Sequence, residues 1–216
     1  MDYRWKEFAQ LLLAGEDEGA FRLISEDGRD SLAIYMEIVT NAMQYVGYLW
    51  QNNEISVADE HLATSVCDFV LSRYSFSFRN QQKKKIGKIM FLCLEKEQHM
   101  LGTKMAAALC EEKNWDVRLL GANLPLEYAI SSAESWEPDV IGLSVALHYR
   151  LPVLKRYVKE LEALEFSPKV IIGGRLASTY DLYNYCSKET ELFKDLYAMD
   201  AWLDEYRQEV KVNGAS

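Results

Sequence analysis

The sequence predicts an α/β chain: a four-helix bundle at the amino terminus, then a flavodoxin-like (Rossmann-like) doubly wound parallel sheet. Three observations carry that expectation. Residues 1–80 place apolar side chains every three or four positions, with breaks at Gly15, Gly28 and Asn52-Asn53. After residue 88, short apolar runs alternate with helical patterns, as in parallel β-α-β units. Between the two lies a polar run from Arg79 to Gly87 without apolar anchors, read as a linker over 81–87.

In the first part, Trp5, Phe8, Leu12 and Leu13 give a helix that ends at Ala14-Gly15, and Phe21, Leu23 and Ile24 a second that stops at Asp27-Gly28. A long third helix opens near Ser31 and carries Met36, Val39, Met43, Val46 and Trp50 at helical spacing. It stops at Gln51-Asn52-Asn53, where asparagines suit a helix end. Ser56 and Asp59 have the spacing of a capping box and open a fourth helix. At 100° per residue, Leu62, Val66, Phe69 and Val70 share one side of it with Arg73, and this side is expected to face the bundle core. Val57, Glu60, His61 and Thr64 gather nearly opposite. Four helices with short connections form an antiparallel bundle.

In the second part, Ile89 to Leu94 is an unbroken apolar run that suits a strand buried on both faces. A helix with Met105, Ala106, Leu109 and Cys110 on one side follows. Val117–Leu120, Asp139–Val145 and Lys169–Ile172 read as three more strands, with helices over 125–135 and 152–164 between them. The remainder is expected to be helix through roughly 180–194, a short edge strand near Leu196-Tyr197, and a helix from Asp200 to about Val210.

Composition narrows the function. A net charge of -9 argues against a broad nucleic-acid surface, and Lys83 to Lys85 read as a solvated connector. The first ten residues lack the apolar core of a signal peptide, and no apolar run approaches membrane-spanning length. Cys67, Cys93, Cys110 and Cys186 show no CxxC pairing, and three of them sit in apolar patterns and read as buried thiols of a reducing compartment. The expected location is the cytoplasm.

Two places carry candidate chemistry. The first strand delivers Glu97, His99 and Gly102 into the loop before a helix, where open α/β sheets put ligand sites. Neutral imidazole is a metal ligand, and a carboxylate two residues away can hold its other ring nitrogen protonated. The other reading is an exposed histidine beside a solvated charge run. The third strand ends in Ser144 and the fourth in Gly173-Gly174, so these features border one crevice, and paired glycines let a ligand approach backbone. His148, just beyond, reads as a loop residue. The second place is the polar face of the fourth helix, with Trp50 across the turn; it is either a functional face or a solvated one.

Glu97-Gln98-His99-Met100-Leu101-Gly102, with Ser144 and Gly173-Gly174 at their intervals, resembles the cobalamin-binding domain that carries its cofactor base-off. A four-helix bundle ahead of it is that family's usual cap over the corrin's upper face, so the resemblance covers nearly the whole chain. It implies cobalamin as cofactor, His99 as lower cobalt ligand, Glu97 as its support, and Gly102, Ser144, Gly173 and Gly174 around the dimethylbenzimidazole tail. Trp50, nine residues, then Glu60-His61 resembles the bundle signature of CarH-type light-sensing regulators, which use adenosylcobalamin. By that likeness Trp50, Val57, Glu60 and His61 enclose the upper group.

This similarity implies a light sensor that is not an enzyme, with methylcobalamin and a methyl-carrying corrinoid subunit as the alternative. The chain opens at the bundle without a helix-turn-helix. Direct DNA binding is therefore not expected, and signalling through a protein partner or self-association is. Gln51 stands where some members carry a histidine for the lit state.

Overall fold

In the computed structural model the chain divides into two compact units, Met1–Arg79 and Asn80–Ser216. The described residues are 3–77 and 84–213, with side chains as far as 206. Part of the expected linker, residues 81–83 with Lys83, lies outside them, and residues 84–87 carry no regular secondary structure.

The first unit is helical. It consists of α1 (Arg4–Leu13), α2 (Asp17–Ser25), α3 (Ser31–Ala33), a π-helical stretch Ile34–Thr40, α4 (Asn41–Gln51) and α5 (Val57–Ser77). α3, the π stretch and α4 run on as the expected long third helix. Its start is capped by Asp30, whose carboxylate accepts from the Ala33 amide at 2.8 Å. Inside the π stretch, the Thr40 hydroxyl donates to the Tyr35 carbonyl at 2.7 Å, satisfying a group the wider turn leaves available. The capping box is present: the Ser56 amide donates to Asp59 at 2.8 Å, and the Asp59 amide donates back to Ser56 Oγ at 3.2 Å. Asp27, with a side chain 2% exposed, is held by Arg4 and Arg29.

Two helical faces differ from expectation. The long helix buries Tyr35, Ile38, Val39, Ala42, Val46 and Leu49, while Met36 and Met43 are half-buried and Trp50 is exposed. α5 buries Ala63, Cys67, Val70, Leu71 and Tyr74, roughly 100° around from the expected face, and leaves Leu62 and Phe69 exposed. Both helices are apolar on several sides, so the 3.6-residue period does not select one stripe; packing against α1, α2 and α4 does.

The second unit is a five-stranded, all-parallel sheet in the order β2-β1-β3-β4-β5. Its strands are β1 (Lys88–Cys93), β2 (Asp116–Leu119), β3 (Val140–Ser144), β4 (Lys169–Gly173) and β5 (Glu191–Leu192). The helices α6 (Leu101–Glu112), α7 (Leu126–Trp136), α8 (Leu151–Glu162), α9 (Arg175–Thr179) and α10 (Leu196–Asn213) connect and cover them. This is the flavodoxin-like order, whose switch point lies between β1 and β3.

β1 and β3 are buried along nearly their whole length, as strands covered on both faces must be. The carboxyl-terminal segment is rearranged relative to the sequence reading. Residues 180–190 hold only a short 3₁₀ turn, the edge strand is Glu191–Leu192, and the last helix starts four residues early. α10 is fastened by Lys113, whose Nζ lies 2.9 Å from both Asp200 and Asp204. Stacking of Trp202 and Tyr206 beside Trp115 adds to this. Among the described residues no helix is long and apolar enough to cross a membrane.

Candidate functional site

Strand register assembles the site. Cys93 on β1 pairs with Ser144 on β3, and Ser144 with Gly173 on β4, so the three end in one row at the carboxyl edge. The β1 loop, residues 95–100, leaves from that row. Lys96 adopts φ 62°, a left-handed conformation that turns the chain sharply.

A set of contacts then holds the loop. The Lys96 amide donates to Asn123 Oδ1 at 2.6 Å, and the Asn123 amide donates to the Glu97 carbonyl at 2.9 Å. The Glu95 amide donates to the Tyr157 hydroxyl at 3.3 Å, which itself donates to the Leu124 carbonyl at 2.5 Å. The Cys93 thiol lies 3.6 Å from the His99 carbonyl and 3.4 Å from Thr103 Oγ1.

Glu97 is the centre of this arrangement. It is fully buried, yet both carboxylate oxygens are satisfied. Oε1 lies 2.5 Å from His99 Nδ1 and accepts from the His99 amide at 3.2 Å; Oε2 accepts from the Ala146 amide at 2.9 Å. Burial pushes the Glu97 carboxyl up, but the hydrogen bonds from His99 and Ala146 outweigh it and leave it below the ordinary carboxylate range. An ionised Glu97 fixes the proton of the His99 ring on Nδ1. The side chain of His99 is 52% exposed, so its Nε2 lone pair is the available one. The reading of this loop as a merely solvated charge run does not hold, because its middle carboxylate has no exposed surface.

The glycines divide by role. Gly174 sits at φ 97°, and a Cβ there would come within 2.5 Å of the Val145 carbonyl oxygen, so only glycine fits. At Gly102 and Gly173 an added Cβ would meet nothing within 4 Å, so both border open space. Ser144 is buried beside the Gly174 backbone. Burial raises the Cys93 thiol, partly opposed by Thr103, and it stays a neutral packing group. Ala146, Asn123, Thr103 and Tyr157 escape sequence reading; only the cluster of loop ends at one sheet edge hints at them. His148 stands edge-on to Tyr180 with centroids 5.1 Å apart, outside the Glu97–His99 set.

A cobalt carried in a macrocycle needs few protein donors: one basic nitrogen, a cradle without side chains, and polar edges. The His99 Nε2, the Gly102 and Gly173 openings and the Gly174 turn fit that description.

In the helical unit, Glu60 links two neighbours on α5: its carboxylate lies 2.8 Å from His61 Nδ1 and accepts from Thr64 Oγ1 at 2.9 Å. Trp50 and Val57 are 46% and 55% exposed on the two sides of the intervening turn.

Residues 87–185 match a family described as B12 binding domain, and residues 5–74 match a second family of the same description. A curated relative, dimethylamine corrinoid protein 3 of Methanosarcina acetivorans, is 22% identical over 138 residues, 63% of this chain and 65% of that protein. The chain spans about half to two thirds of the curated relatives it matches. Among solved structures, the Methanosarcina barkeri monomethylamine corrinoid protein aligns with a TM-score of 0.73 at 16% identity, covering 92% of this chain and 96% of that one. The methanol:cobalamin methyltransferase complex MtaBC from Methanosarcina barkeri aligns at 0.51 and 16%, covering 96% and 80%. At these identities the structural likeness is one of fold.

Proposed function

We propose that this cobalamin-binding protein, made of two B12 binding domains in tandem, is a corrinoid carrier subunit that serves methyltransferase partners and has no catalysis of its own. Its curated relatives are named as corrinoid proteins, and one structural neighbour is a complex with a methyltransferase. The observation that carries the reading is the buried Glu97 carboxylate that aims an exposed imidazole from the sheet edge. When bound, the corrinoid supplies a cobalt centre that can accept and give up a methyl group.

This chain's residues do the holding. His99 Nε2 would bind the cobalt, and Glu97 keeps Nδ1 protonated so that Nε2 stays free to do so. Ser144, Gly102, Gly173 and Gly174 border the channel for the nucleotide tail. In the helical unit, Trp50, Val57, Glu60 and His61 are the proposed contacts of the cofactor. The carrier reading makes methylcobalamin the working form and a protein the partner, with no direct contact to DNA. Free thiols at Cys67, Cys93, Cys110 and Cys186 suit the cytoplasm.

A second reading, the adenosylcobalamin light sensor, is favoured by one feature: Trp50 followed by the hydrogen-bonded Glu60–His61 pair. One experiment separates the two. The full chain is loaded with methylcobalamin or adenosylcobalamin in darkness, and its visible spectrum is followed with and without illumination and with a methyltransferase partner. The carrier binds methylcobalamin with His99 on cobalt and loses the methyl group to the partner in darkness. A chain that binds neither form, or whose His99→Ala variant gives the same spectrum, rejects both readings. Dark stability with partner and light-driven change with adenosylcobalamin selects the sensor.

A further inference from the structure

One stripe of α5 belongs neither to the bundle core nor to the Glu60 network. Ala58, Leu62, Ser65, Phe69, Ser72 and Phe76 are all exposed, and they follow one another at alternating steps of four and three residues. That is the 3.5-residue period of a helix-to-helix seam. Large and small side chains alternate along it. Leu62, Phe69 and Phe76 are 44%, 53% and 68% exposed, and Ala58, Ser65 and Ser72 stand between them. At 1.5 Å per residue the seam is about 27 Å long. The buried side of α5 is already packed on α1, α2 and α4, so this row of apolar groups is a second, uncovered face.

We infer that the seam pairs with the same seam of a second copy, running antiparallel about a two-fold axis beside Cys67. The operator fixes the layers. Leu62 meets the partner's Ser72, Ser65 meets the partner's Phe69, and Ala58 meets the partner's Phe76, each with its symmetric counterpart. Every bulky side chain therefore enters a gap left by a small one. A parallel pair in register would set Phe69 on Phe69 and Ser65 on Ser65, which leaves voids beside clashes.

The flanks add charge. On one side Val66 meets the partner's Val66, and Asp59 comes opposite the partner's Arg73. Arg73 is already flanked by its own Glu18 and lies 3.8 Å over Phe21, so it is held extended along the rim. On the other side Asp68 approaches the partner's Asp68, one like-charge contact. Six seam residues a side fall below the roughly 20–30 of a standard interface, which sets the expected affinity in the micromolar range. The inference stands on the helical unit alone and does not depend on the cofactor reading.

Sedimentation equilibrium of the full chain across the micromolar range tests it. The wild-type mass rises to that of a dimer. Phe69→Glu puts a charge in the central layer, Ser65→Phe fills the gap that receives the partner's Phe69, and each raises the dissociation constant at least about tenfold. Tyr128→Glu, at an exposed position of the other unit, leaves the mass as in wild type. Far-UV circular dichroism verifies folding, and if Phe69→Glu does not fold, Ser65→Phe gives the same readout. A monomeric wild type throughout, or a folded variant that stays as dimeric as wild type, overturns the inference.

Discussion

Each unit of this molecule holds a glutamate against the Nδ1 of a histidine, and the two pairs differ in almost everything except that bond. On α5 the partners are adjacent, 2.8 Å apart, with the His61 side chain 74% exposed and Glu60 28% exposed. At the sheet edge they are two residues apart and 2.5 Å from each other, with Glu97 fully buried. Glu60 is placed by one helical turn. Glu97 is placed from three directions, since Ala146, Asn123 and the end of β1 all bind it or its backbone. A hydrogen bond away from water is stronger, and the cost of leaving it unmade is larger. The same two residue types thus make a rigid support in one unit and an adaptable surface in the other.

The sharpest way to break that comparison is to remove the supported imidazole. His99→Ala is expected to weaken cobalamin binding by more than about 100-fold, because changes one step further from a metal already cost about 10–100-fold. Titration followed by the visible spectrum measures it, and an unchanged spectrum would mean that His99 is not the ligand. The fold should survive, since His99 is half exposed.

Glu97→Gln comes next. Two donors, the His99 ring and the Ala146 amide, use different oxygens of Glu97. An amide offers one oxygen, so one donor is left facing an NH₂ group. Cobalamin affinity should fall about 10-fold or more, and unfolding stability by about 1–3 kcal/mol for the unsatisfied buried group. Thermal melts of cofactor-free protein separate the second effect from the first.

Acid sharpens the same contrast with a smaller effect. The carboxyl of Glu97 lies below its ordinary value of 4.5 in the folded chain. A depressed folded value means the stabilisation is complete above 4.5 and disappears as pH falls through the folded value. The melting-temperature gap between wild type and Glu97→Gln should therefore be constant near neutrality and narrow below about pH 4.5. A gap that widens in acid would mean the carboxyl is protonated in the native state.

These contrasts also show what the sequence could disclose. Strands β1, β3 and β4 were legible because a strand covered on both faces is an unbroken apolar run, and Ile89 to Leu94 is one. The two-residue β5 was not, since Glu191–Leu192 has no period to read. The buried face of α5 was misplaced because Leu62 and Phe69 are the more apolar residues, while the core takes Ala63 and Cys67. Glu97, His99, Ser144 and Gly173-Gly174 stand out in the sequence by type and interval, and the parallel register sets the strand ends Cys93, Ser144 and Gly173 in one row. The Ala146 contribution is a backbone amide, which any residue supplies, and Tyr157 reaches the loop from α8. No local pattern encodes either.

The smallest expected effect lies in the helical pair. His61→Ala removes a side chain that is three-quarters exposed and, among the described residues, bonded within its own turn, so stability should change by no more than about 0.5 kcal/mol. Glu60→Ala loses its contacts to both His61 and Thr64, yet the two groups left behind can turn to water instead, and the change should remain within about 1 kcal/mol. Melts beside those of Glu97→Gln measure the difference directly. If removing Glu60 lowers the melting temperature as much as removing the Glu97 charge does, the α5 pair is also a built support, and the distinction between a buried support and an exposed pair fails. If the melts are unaffected while the bound cofactor's spectrum or partner reactivity changes, Glu60 and His61 act on the ligand rather than on the fold, as an exposed pair at the start of a helix should.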